Sequence, residues 1–452
     1  MNPGDSMRRQ LLLSLVFLSL PALASATSVF VNVNVVPMTS ERIDRNQTVV
    51  VTDGMVASIG DVESIPIPEG ALVVDGTDRY LIPGLAEMHA HVPPGNSQDL
   101  DRVLTLFAAN GVTTIRGMLG HVSHLALRQQ LLAGETFGPR LITSGPSLNG
   151  NSVSGAEDGA RQVRAQRAAG YDFIKIHPGL TSSEFSAIAK TANELGIPFA
   201  GHVPAAVGVD GAMVAGIATI DHLDGYFAAL MPFDNDPSGG YGGFFDVLLA
   251  DKLDTDRISE LASRTAAART WNVPTESVVE HRISTVTTAD LRSRPEMRYM
   301  PRATVAQWTR AKERQESERG FNAGIAARAI QVRRSLILAL HEEGAGLLLG
   351  SDAPQVFNVP GFSIHRELAF LVAAGLTPYQ ALRTGTTAVA EFLGSNTGTV
   401  AVGREADLVL LDADPLEEIG NSRRIHGVML RGVWHPHNDL EQRLSVFIER
   451  DD

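Results

Sequence analysis

The sequence predicts an α/β protein: a (β/α)8 barrel of the TIM type, with a small β-sandwich built from the N- and C-terminal segments. Two observations predict this class. Short apolar runs alternate with helical patterns through the middle of the chain, and eight strand–helix repeats are the number found in such a barrel. The segments on either side instead have the pattern of β-strands, and residues 29–36 alternate apolar and polar side chains as a half-buried strand does.

Eight apolar runs are the predicted barrel strands. Helical stretches such as 100–109, 160–169 and 182–195 lie between them. In barrels of this class the chemistry lies at the C-terminal ends of the strands, so the polar residues that end each run are the candidate site. The runs cover residues 82–88, 112–115, 141–143, 173–176, 199–202, 218–222, 272–275 and 347–350.

Changes of pattern along the chain set the predicted domain boundaries. A long segment rich in Arg and Glu, 278–328, follows the seventh run. We expect it to form a helical insertion that lies over the barrel mouth and covers the substrate; a solvated helical hairpin is the alternative. The predicted parts are a signal peptide (1–26), the first part of the β-sandwich (27–81), the barrel (82–394), the second part of the sandwich (395–440) and a tail (441–452).

The N-terminal segment has the three parts of a secretory signal peptide. Arg8 and Arg9 form a positive region, residues 11–20 are mostly apolar, and Ala24-Ser25-Ala26 is a small-residue cleavage site. The apolar run is shorter than the roughly 20 residues that a membrane anchor needs. We therefore expect an exported protein, periplasmic or secreted, cleaved near Ala26. The absence of cysteine excludes disulfides, and no later segment is long and apolar enough to span a bilayer.

Composition narrows the class of partner. The chain has 452 residues, a net charge of −13 and 44% apolar residues. This negative charge argues against nucleic acid and anionic membrane surfaces as partners. We expect a small-molecule substrate instead, and by analogy with other barrels a homo-oligomer.

The first predicted strand ends in a pair of histidines, His89 and His91. Residues two apart on a strand point to the same side, so the two imidazoles lie next to each other. Neutral imidazoles are preferred ligands of zinc. The pair alone is a weak signal, because two solvated loop histidines would give the same pattern.

Other predicted strands also end in residues that can bind metal. Lys175 belongs to the fourth run, His202 to the fifth, His222 to the sixth, and Asp352 follows the eighth. Each has an ordinary alternative: a histidine that is hydrogen-bonded in the core, or an aspartate that caps a helix. All of them should nevertheless meet at one barrel mouth, which favours a shared metal site.

Lys175 is the most specific of these residues, because it lies inside an apolar strand, Phe173-Ile174-Lys175-Ile176. A buried ammonium is unfavourable unless it is neutralised or paired. A deprotonated amine could react with carbon dioxide and give a carbamate whose two oxygens bridge two cations. Pairing of Lys175 with Asp221 or Asp352 is the alternative.

These residues stand in segments that resemble the amidohydrolase superfamily of metal-dependent hydrolases, most closely its imidazolonepropionase-like and Xaa-Pro dipeptidase-like branch. The resemblance covers nearly all of residues 28–435 and is much more specific for the superfamily than for a substrate. The matching segments are 81–91 (LIPGLAEMHAH), 172–176 (DFIKI), 201–203 (GHV), 220–224 (IDHLD), 350–353 (GSDA), 367–378 (ELAFLVAAGLTP) and 403–415 (GREADLVLLDADP).

The resemblance implies a binuclear centre with two divalent metal ions, zinc by default. It implies that His89, His91, Asp352 and an N6-carboxylated Lys175 hold the more buried ion. It implies that Lys175, which would bridge the two ions, holds the outer one together with His202 and His222. Asp352 is the implied catalytic residue, which takes a proton from the attacking water and passes it to the leaving amine.

Two departures from the branch weaken a strict Xaa-Pro dipeptidase assignment. Relatives often carry a Gly-Gly-His stretch where this chain has 145–154 (GPSLNGNSVS), and they commonly have Arg-Asp where it has Arg116-Gly117. Tyr226 and His177 are candidate substrate contacts. A packing role for Tyr226 and an indirect role for His177 are equally compatible with the sequence.

The predicted function is therefore cleavage of an amide bond in a dipeptide or an N-acyl amino acid, with ochratoxin-like aryl amides in range. A cyclic-amide or lactone hydrolase with the same metals is the first alternative. A mononuclear deaminase and an inactive barrel that binds a solute are the others. The chain has no Gly-x-Ser-x-Gly segment and no cysteine to support a covalent mechanism.

Overall fold

The computed structural model describes residues 27–232 and 242–448. The predicted signal peptide, residues 1–26, lies outside the described residues. Within the described part, none of the helices combines the length and the apolar character needed to cross a membrane.

The two ends of the chain share one eight-stranded sheet with the order β15-β14-β13-β5-β1-β2-β3, in which β4 also pairs with β1. Its hairpin β2–β3 turns at Asp53 and Gly54, whose φ angles of 54° and 73° are both positive, as the tightest hairpin loops require. The strands are β1 (Ser28–Val35), β2 (Asp44–Thr52), β3 (Met55–Asp61), β4 (Leu72–Asp75), β5 (Tyr80–Pro83), β13 (Leu408–Leu411), β14 (Ile425–Leu430) and β15 (Val433–Pro436).

The contact between the two ends is the antiparallel pair β5–β13, in which Leu81 lies opposite Leu410. Both side chains are fully buried, in a cluster that also contains Phe30 and Met429. Burial of such residues from both ends is the main favourable contribution to joining them. The N- and C-terminal segments therefore form one unit with its own core.

The middle of the chain contains parallel strands in two sheets, β6-β7-β8 and β12-β11-β10-β9. Helices follow the strands along the chain, and the strand–helix alternation predicted from the sequence is present. The strands are β6 (Leu85–Ala90), β7 (Val112–Gly117), β8 (Arg140–Thr143), β9 (Ile174–Ile176), β10 (Phe199–Gly201), β11 (Thr219–Asp221) and β12 (Trp271–Val273).

Single bridges connect these sheets. Ser144 pairs with Phe173 in parallel between the β8 and β9 segments. The eighth apolar run is not a regular strand, but Leu347 pairs with Asn272, and the amide of Met88 donates to the carbonyl of Leu349 over 2.9 Å. These elements confirm the predicted α/β class and are consistent with a fold of the TIM-barrel type.

Fifteen α-helices lie within the described residues, and side chains cap the ends of some of them. α4, for example, begins with a capping box in which Thr181 and Glu184 bond each other's backbone amides. The helices are α1 (Gln98–Ala109), α2 (Ser123–Ala133), α3 (Ala156–Ala169), α4 (Ser182–Leu195), α5 (Gly208–Val214), α6 (Tyr226–Ala229), α7 (Ile258–Ala267), α8 (Glu276–Ile283), α9 (Thr288–Arg292), α10 (Arg302–Glu316), α11 (Ala323–Glu342), α12 (Phe362–Ala373), α13 (Pro378–Thr384), α14 (Thr387–Leu393) and α15 (His437–Ser445), with 3-10 turns at Phe244–Lys252, Thr255–Arg257, Pro295–Tyr299 and Ile419–Arg423.

Two segments bear on the predicted boundaries. The segment 278–328 is helical, with most of α8, all of α9 and α10, and the start of α11. Helix α15 crosses the boundary that we placed between residue 440 and a tail that starts at 441, and it buries Leu440 and Leu444. The residues just after 440 thus belong to a packed helix.

Candidate metal centre

The polar residues chosen from the sequence lie at the C-terminal ends of the central strands. His89 is near the end of β6, Lys175 is the middle residue of β9, and His202 and His222 directly follow β10 and β11. Asp352 comes shortly after the segment that pairs with β12 and β6. Parallel strands place these ends at one edge, so the topology brings the side chains together.

Five imidazole rings form a continuous row at this edge. The ring centroids of His91 and His89 are 5.6 Å apart, and those of His89 and His222 are 4.4 Å apart. The row continues from His222 to His202 over 4.8 Å and from His202 to His177 over 4.9 Å. Each of the four histidines proposed as ligands therefore lies next to another of the set.

Asp352 contacts three of these rings. Its Oδ1 lies 2.7 Å from Nε2 of His91 and 3.7 Å from Nε2 of His89, and its Oδ2 lies 3.9 Å from Nδ1 of His222. One ligand atom each from His89, His222 and Asp352 can be chosen so that all lie within 4.8 Å of one another. Two imidazoles and a carboxylate at this spacing fit a divalent metal ion.

Burial keeps the imidazoles of His89, His222 and His177 neutral. It lowers the pKa of both His89 and His222 well below the ordinary value, and the positive charge of Lys175 acts in the same direction. Burial, followed by the charge of Lys175, also lowers the pKa of His177 to about 3. A neutral imidazole has a free lone pair, which is the form that binds a metal.

Lys175 is completely buried, and its Nζ has no hydrogen-bond partner among the described residues. Burial lowers the pKa of this amine to about 8. The nearest carboxylate oxygen, Oδ2 of Asp221, is 3.9 Å away. Asp221 instead accepts hydrogen bonds from Thr219 and Arg116 and lies 2.9 Å from His89, so the alternative of a Lys175–Asp221 pair is at best a long contact.

The backbone next to Lys175 leaves room for its amine. Gly201 at the end of β10 has a φ of 125°, and a Cβ placed there would lie 2.6 Å from the carbonyl oxygen of Ile176 and 2.9 Å from Nζ of Lys175. Only a glycine fits so close an approach. The position of the Lys175 amine thus depends on the residue that precedes His202.

Neighbouring polar residues that were not among the predicted site residues orient the histidines. Oδ2 of Asp224 lies 3.0 Å from Nδ1 of His202, and Oγ1 of Thr275 lies 2.8 Å from Nδ1 of His222. Glu87, fully buried on β6, accepts hydrogen bonds from the amides of His89 and Ser351. Such partners fix the orientation of ligands. Glu87 and Asp224 both lie inside segments that resemble the amidohydrolase superfamily, and this resemblance was the sequence signal that could have identified them.

The backbone around the site is strained. His222, Leu223, Thr275 and Asp352 have φ angles of 65°, 54°, 49° and 63°. The left-handed region is unfavourable for residues other than glycine, and it persists where the surrounding contacts hold the chain in place. Three of these residues are proposed ligands or bond a proposed ligand, so the strain is concentrated at the site.

A cavity of about 170 Å³ opens above the row of histidines. Its outer wall combines aromatic and aliphatic side chains with one guanidinium. The ring of Phe245 stacks 4.7 Å from that of His222, and the guanidinium carbon of Arg282 lies 3.8 Å from the centre of the Phe244 ring. Val278 and Arg282 come from α8, so part of the predicted insertion does border the site. The contribution of Phe244 and Phe245 was not foreseen.

The two candidate substrate contacts have different positions. Tyr226 is fully buried, and its hydroxyl donates to Oδ1 of Asn272 over 2.8 Å and lies 3.1 Å from Thr265. It does not line the cavity, which corrects its assignment as a substrate contact: its bonds hold α6 to β12 and α7. His177 does line the cavity, with its ring beside His202.

Comparison with protein families gives a match over most of this chain. The model described as "Amidohydrolase family" matches residues 80–435, which include every proposed ligand. The chain is a member of the amidohydrolase family. This confirms the resemblance drawn from the sequence and the prediction of a hydrolase. The curated proteins contain no match to this amidohydrolase.

Solved structures show the same fold. The amidohydrolase is similar to a bottromycin amidohydrolase, with 25% identity, coverage of 93% of this chain and 90% of the other, and a TM-score of 0.72. It is also similar to a putative prolidase from Bifidobacterium longum (24% identity, 93% and 99% coverage, TM-score 0.66). A third similar structure is the ochratoxinase of A. niger (18% identity, 91% and 96% coverage, TM-score 0.62). Identities this low relate the folds and do not identify a substrate.

Proposed function

We propose that this amidohydrolase cleaves an amide bond between an acyl or aminoacyl group and an amino acid, at a centre of two divalent metal ions that are zinc by default. The observation that carries the proposal is the amine of Lys175. It is buried without a hydrogen-bond partner among the described residues, and its pKa is lowered to about 8. An ordinary structural lysine would be paired or exposed.

We assign the candidate ligands to two metal ions. His89, His91, Lys175 and Asp352 would hold one ion, and Lys175, His202 and His222 the other. When bound, the ions polarise the substrate carbonyl and lower the pKa of water. For Lys175 to bridge them, its neutral Nζ forms a bond to the carbon of carbon dioxide and loses one proton, which leaves a carbamate with two oxygens. The lowered pKa favours this reaction because it makes the neutral amine accessible near pH 8.

Asp352 is the proposed proton carrier. Its carboxylate contacts His91 over 2.7 Å and lines the cavity, where it can take a proton from water and return it to the leaving nitrogen. Its backbone, with a φ of 63°, is fixed in a conformation that most residues avoid.

The outer wall of the cavity suggests the kind of substrate. Phe244, Phe245 and Val278 offer apolar contacts, and Arg282 offers a cation at the same wall. An N-acyl amino acid or dipeptide has an apolar side chain and a carboxylate to match them. The similarity in fold to a prolidase and an ochratoxinase agrees with such substrates.

We also infer that β6–β12 and residues 347–350 form a closed (β/α)8 barrel and that the terminal sheet folds into a β-sandwich. The bridges from Ser144 to Phe173 and from Asn272 to Leu347 support closure. Export after cleavage near Ala26 and assembly into a homo-oligomer remain proposals from the sequence.

A screen of zinc-loaded protein against dipeptides and N-acyl amino acids tests the function. Mass spectrometry should detect a free amino acid. Ring opening of a cyclic amide or lactone would instead favour the first alternative, and release of ammonia a deaminase. If every compound stays intact and the protein binds less than one metal ion per chain, the remaining explanation is an inactive barrel that binds a solute.

Lys175 itself is tested by metal analysis. In Lys175→Ala, bound zinc should fall from two ions per chain to one or fewer, and the rate should fall by about a hundredfold or more. Lys175→Glu, which supplies a carboxylate, should keep more metal than the alanine variant. Lys190→Ala, at an exposed lysine of α4, is the matched control. Two metals and full rate in Lys175→Ala would contradict the bridging role.

A further inference from the structure

A second cavity lies at the opposite end of the central strands from the metal centre. It has a volume of about 750 Å³ and is bordered by Arg140 and Trp271, the first residues of β8 and β12, and by Phe173, Pro198 and Ala218, which precede β9, β10 and β11. The proposed metal ligands lie at the other ends of the same strands. The two cavities are therefore separate.

The buried side chain of Arg116 separates this second cavity from the metal centre. Its guanidinium donates to Asp221 over 3.2 Å and lies 5.5 Å from the ring centre of Phe173 and 5.7 Å from that of Phe392. Asp221 in turn lies 2.9 Å from His89. Arg116 thus forms the inner wall of the second cavity, and its positive charge is already paired with Asp221.

The walls of the cavity are mainly apolar and aromatic. The rings of Trp271 and Phe392 meet edge to face, with centroids 5.6 Å apart, and Leu132, Ile142 and Leu393 complete the surface. Leu132 is 56% exposed, so apolar surface extends to the rim. Cavities of a few hundred Å³ with such walls are typical of small-molecule sites.

The charges around this cavity leave one cation unmatched. Arg128 pairs with Asp172 over 2.8 Å, and Arg140 pairs with Glu405 and Asp407 over 2.6 Å each. Arg269 is exposed at the rim, and its guanidinium has no hydrogen bond or ion pair with any residue in 27–232 or 242–448. The rim therefore presents a positive charge next to an apolar interior.

We propose that this cavity binds a small monocarboxylate with a flat apolar body, with its ring against Trp271 and Phe392 and its carboxylate on Arg269. Stacking and edge contacts between aromatic rings favour the flat body. A charge-assisted hydrogen bond from a guanidinium favours the carboxylate over a neutral head. The proposal does not depend on the amide substrate proposed for the metal centre.

Calorimetric titration of the zinc-loaded protein with 2-naphthoate, and with the neutral 2-naphthalenemethanol, tests the site. We expect naphthoate to bind more tightly than the alcohol. Arg269→Gln should weaken naphthoate about fivefold, as expected for an exposed ion pair, and should leave the alcohol unchanged. Arg45→Gln, at an exposed arginine of β2, is the control and should change neither.

Two substitutions that fill the cavity locate the binding. Ala218→Leu on its wall and Leu132→Trp on its rim should each weaken naphthoate by about tenfold or more, because added atoms must be accommodated against packed neighbours. Leu132 is exposed, so its replacement leaves the fold intact even if Ala218→Leu does not. Equal binding of naphthoate and alcohol, or naphthoate affinity unchanged in Leu132→Trp and Arg269→Gln, would overturn the proposal.

Discussion

The carboxylate of Asp224 lies 3.0 Å from Nδ1 of His202 and also accepts a hydrogen bond from the backbone amide of Val203. One side chain thus fixes both the ring and the backbone of a proposed ligand. With Nδ1 engaged by the carboxylate, Nε2 is the nitrogen left to bind a metal. A carboxylate in this position also makes the imidazole a stronger donor.

Removal of the Asp224 carboxylate should therefore weaken metal binding. We expect Asp224→Ala to lower zinc affinity by about 10- to 100-fold, and Asp224→Asn to lower it less. Competition with a chromogenic chelator measures both. Asp251→Ala, at an exposed aspartate, should leave the affinity unchanged. An unaltered affinity in Asp224→Ala would show that the contact does not support a ligand.

Gly201→Ala should displace the Lys175 amine. The added Cβ would meet Nζ of Lys175 at 2.9 Å and the carbonyl oxygen of Ile176 at 2.6 Å, so one of them must move. We expect a loss of about 1–3 kcal/mol in the free energy of unfolding, together with a loss of bound zinc. Urea denaturation and metal analysis provide the two measurements.

The matched control for this change is Gly196→Ala at the end of α4. Gly196 also has a positive φ, of 61°, but a Cβ there meets nothing within 4 Å. It should cost about 1–2 kcal/mol through backbone strain alone and leave the zinc content intact. If both variants keep their zinc, the close approach of Gly201 to Lys175 is not needed for metal binding.

Arg333 should stabilise the backbone that carries His222, one of the proposed ligands. Its buried guanidinium donates to the carbonyl oxygens of His222 over 2.8 Å and Pro274 over 2.9 Å, and it pairs with Glu276 over 2.7 Å. Arg333→Met leaves the Glu276 carboxylate buried without its partner, which should destabilise the protein by about 3–5 kcal/mol. Replacing Glu276 by Gln as well should recover part of that loss in urea denaturation. A double variant no more stable than Arg333→Met would contradict this account.

His365 should make the stability depend on pH in the acid range. Burial, followed by the charges of Arg366 and Arg423, lowers its pKa to about 4, and its ring contacts Ser422 and the carbonyl oxygen of Asn110. The unfolded histidine, with a pKa near 6.5, binds a proton more readily than the folded one. The contribution of neutral His365 to the free energy of unfolding is therefore complete above pH 6.5 and is lost as the pH falls towards 4.

Between pH 7 and pH 5 this effect should lower the free energy of unfolding by about 2 kcal/mol. His365→Gln should remove that part of the pH dependence in urea denaturation at the two pH values. His437→Gln, at an exposed histidine, should keep it. If the free energy of unfolding changes with pH in His365→Gln as it does in the wild type, another group is responsible for the pH dependence.

Residues at strand ends were the predictable part of the site. The period of a strand places His89 and His91 together, and the parallel order of the central strands places His202, His222 and Asp352 at the same edge. Lys175 could be recognised because a charged residue inside an apolar run needs a special reason. These inferences depend only on residue type and spacing.

Contacts between distant segments could not be predicted in this way. The ring stacking of Phe245 on His222 depends on a 3-10 turn with left-handed residues, φ 48° at Phe245, that no local pattern indicates. Tyr226, four residues beyond His222, was a candidate substrate contact because it resembles a position that relatives use for that purpose. The left-handed backbone at His222 and Leu223 instead turns the chain so that the tyrosine enters the core.

The pairing of β5 with β13 also affects how the protein can be made. Leu81 pairs with Leu410, which lies more than three hundred residues later in the chain. All of these residues must leave the ribosome before the two strands can pair. Until then the emerging chain carries an open edge at β5, which is a place where a chaperone or another nascent chain can bind. A translation product that stops short of β13 would keep that edge permanently open.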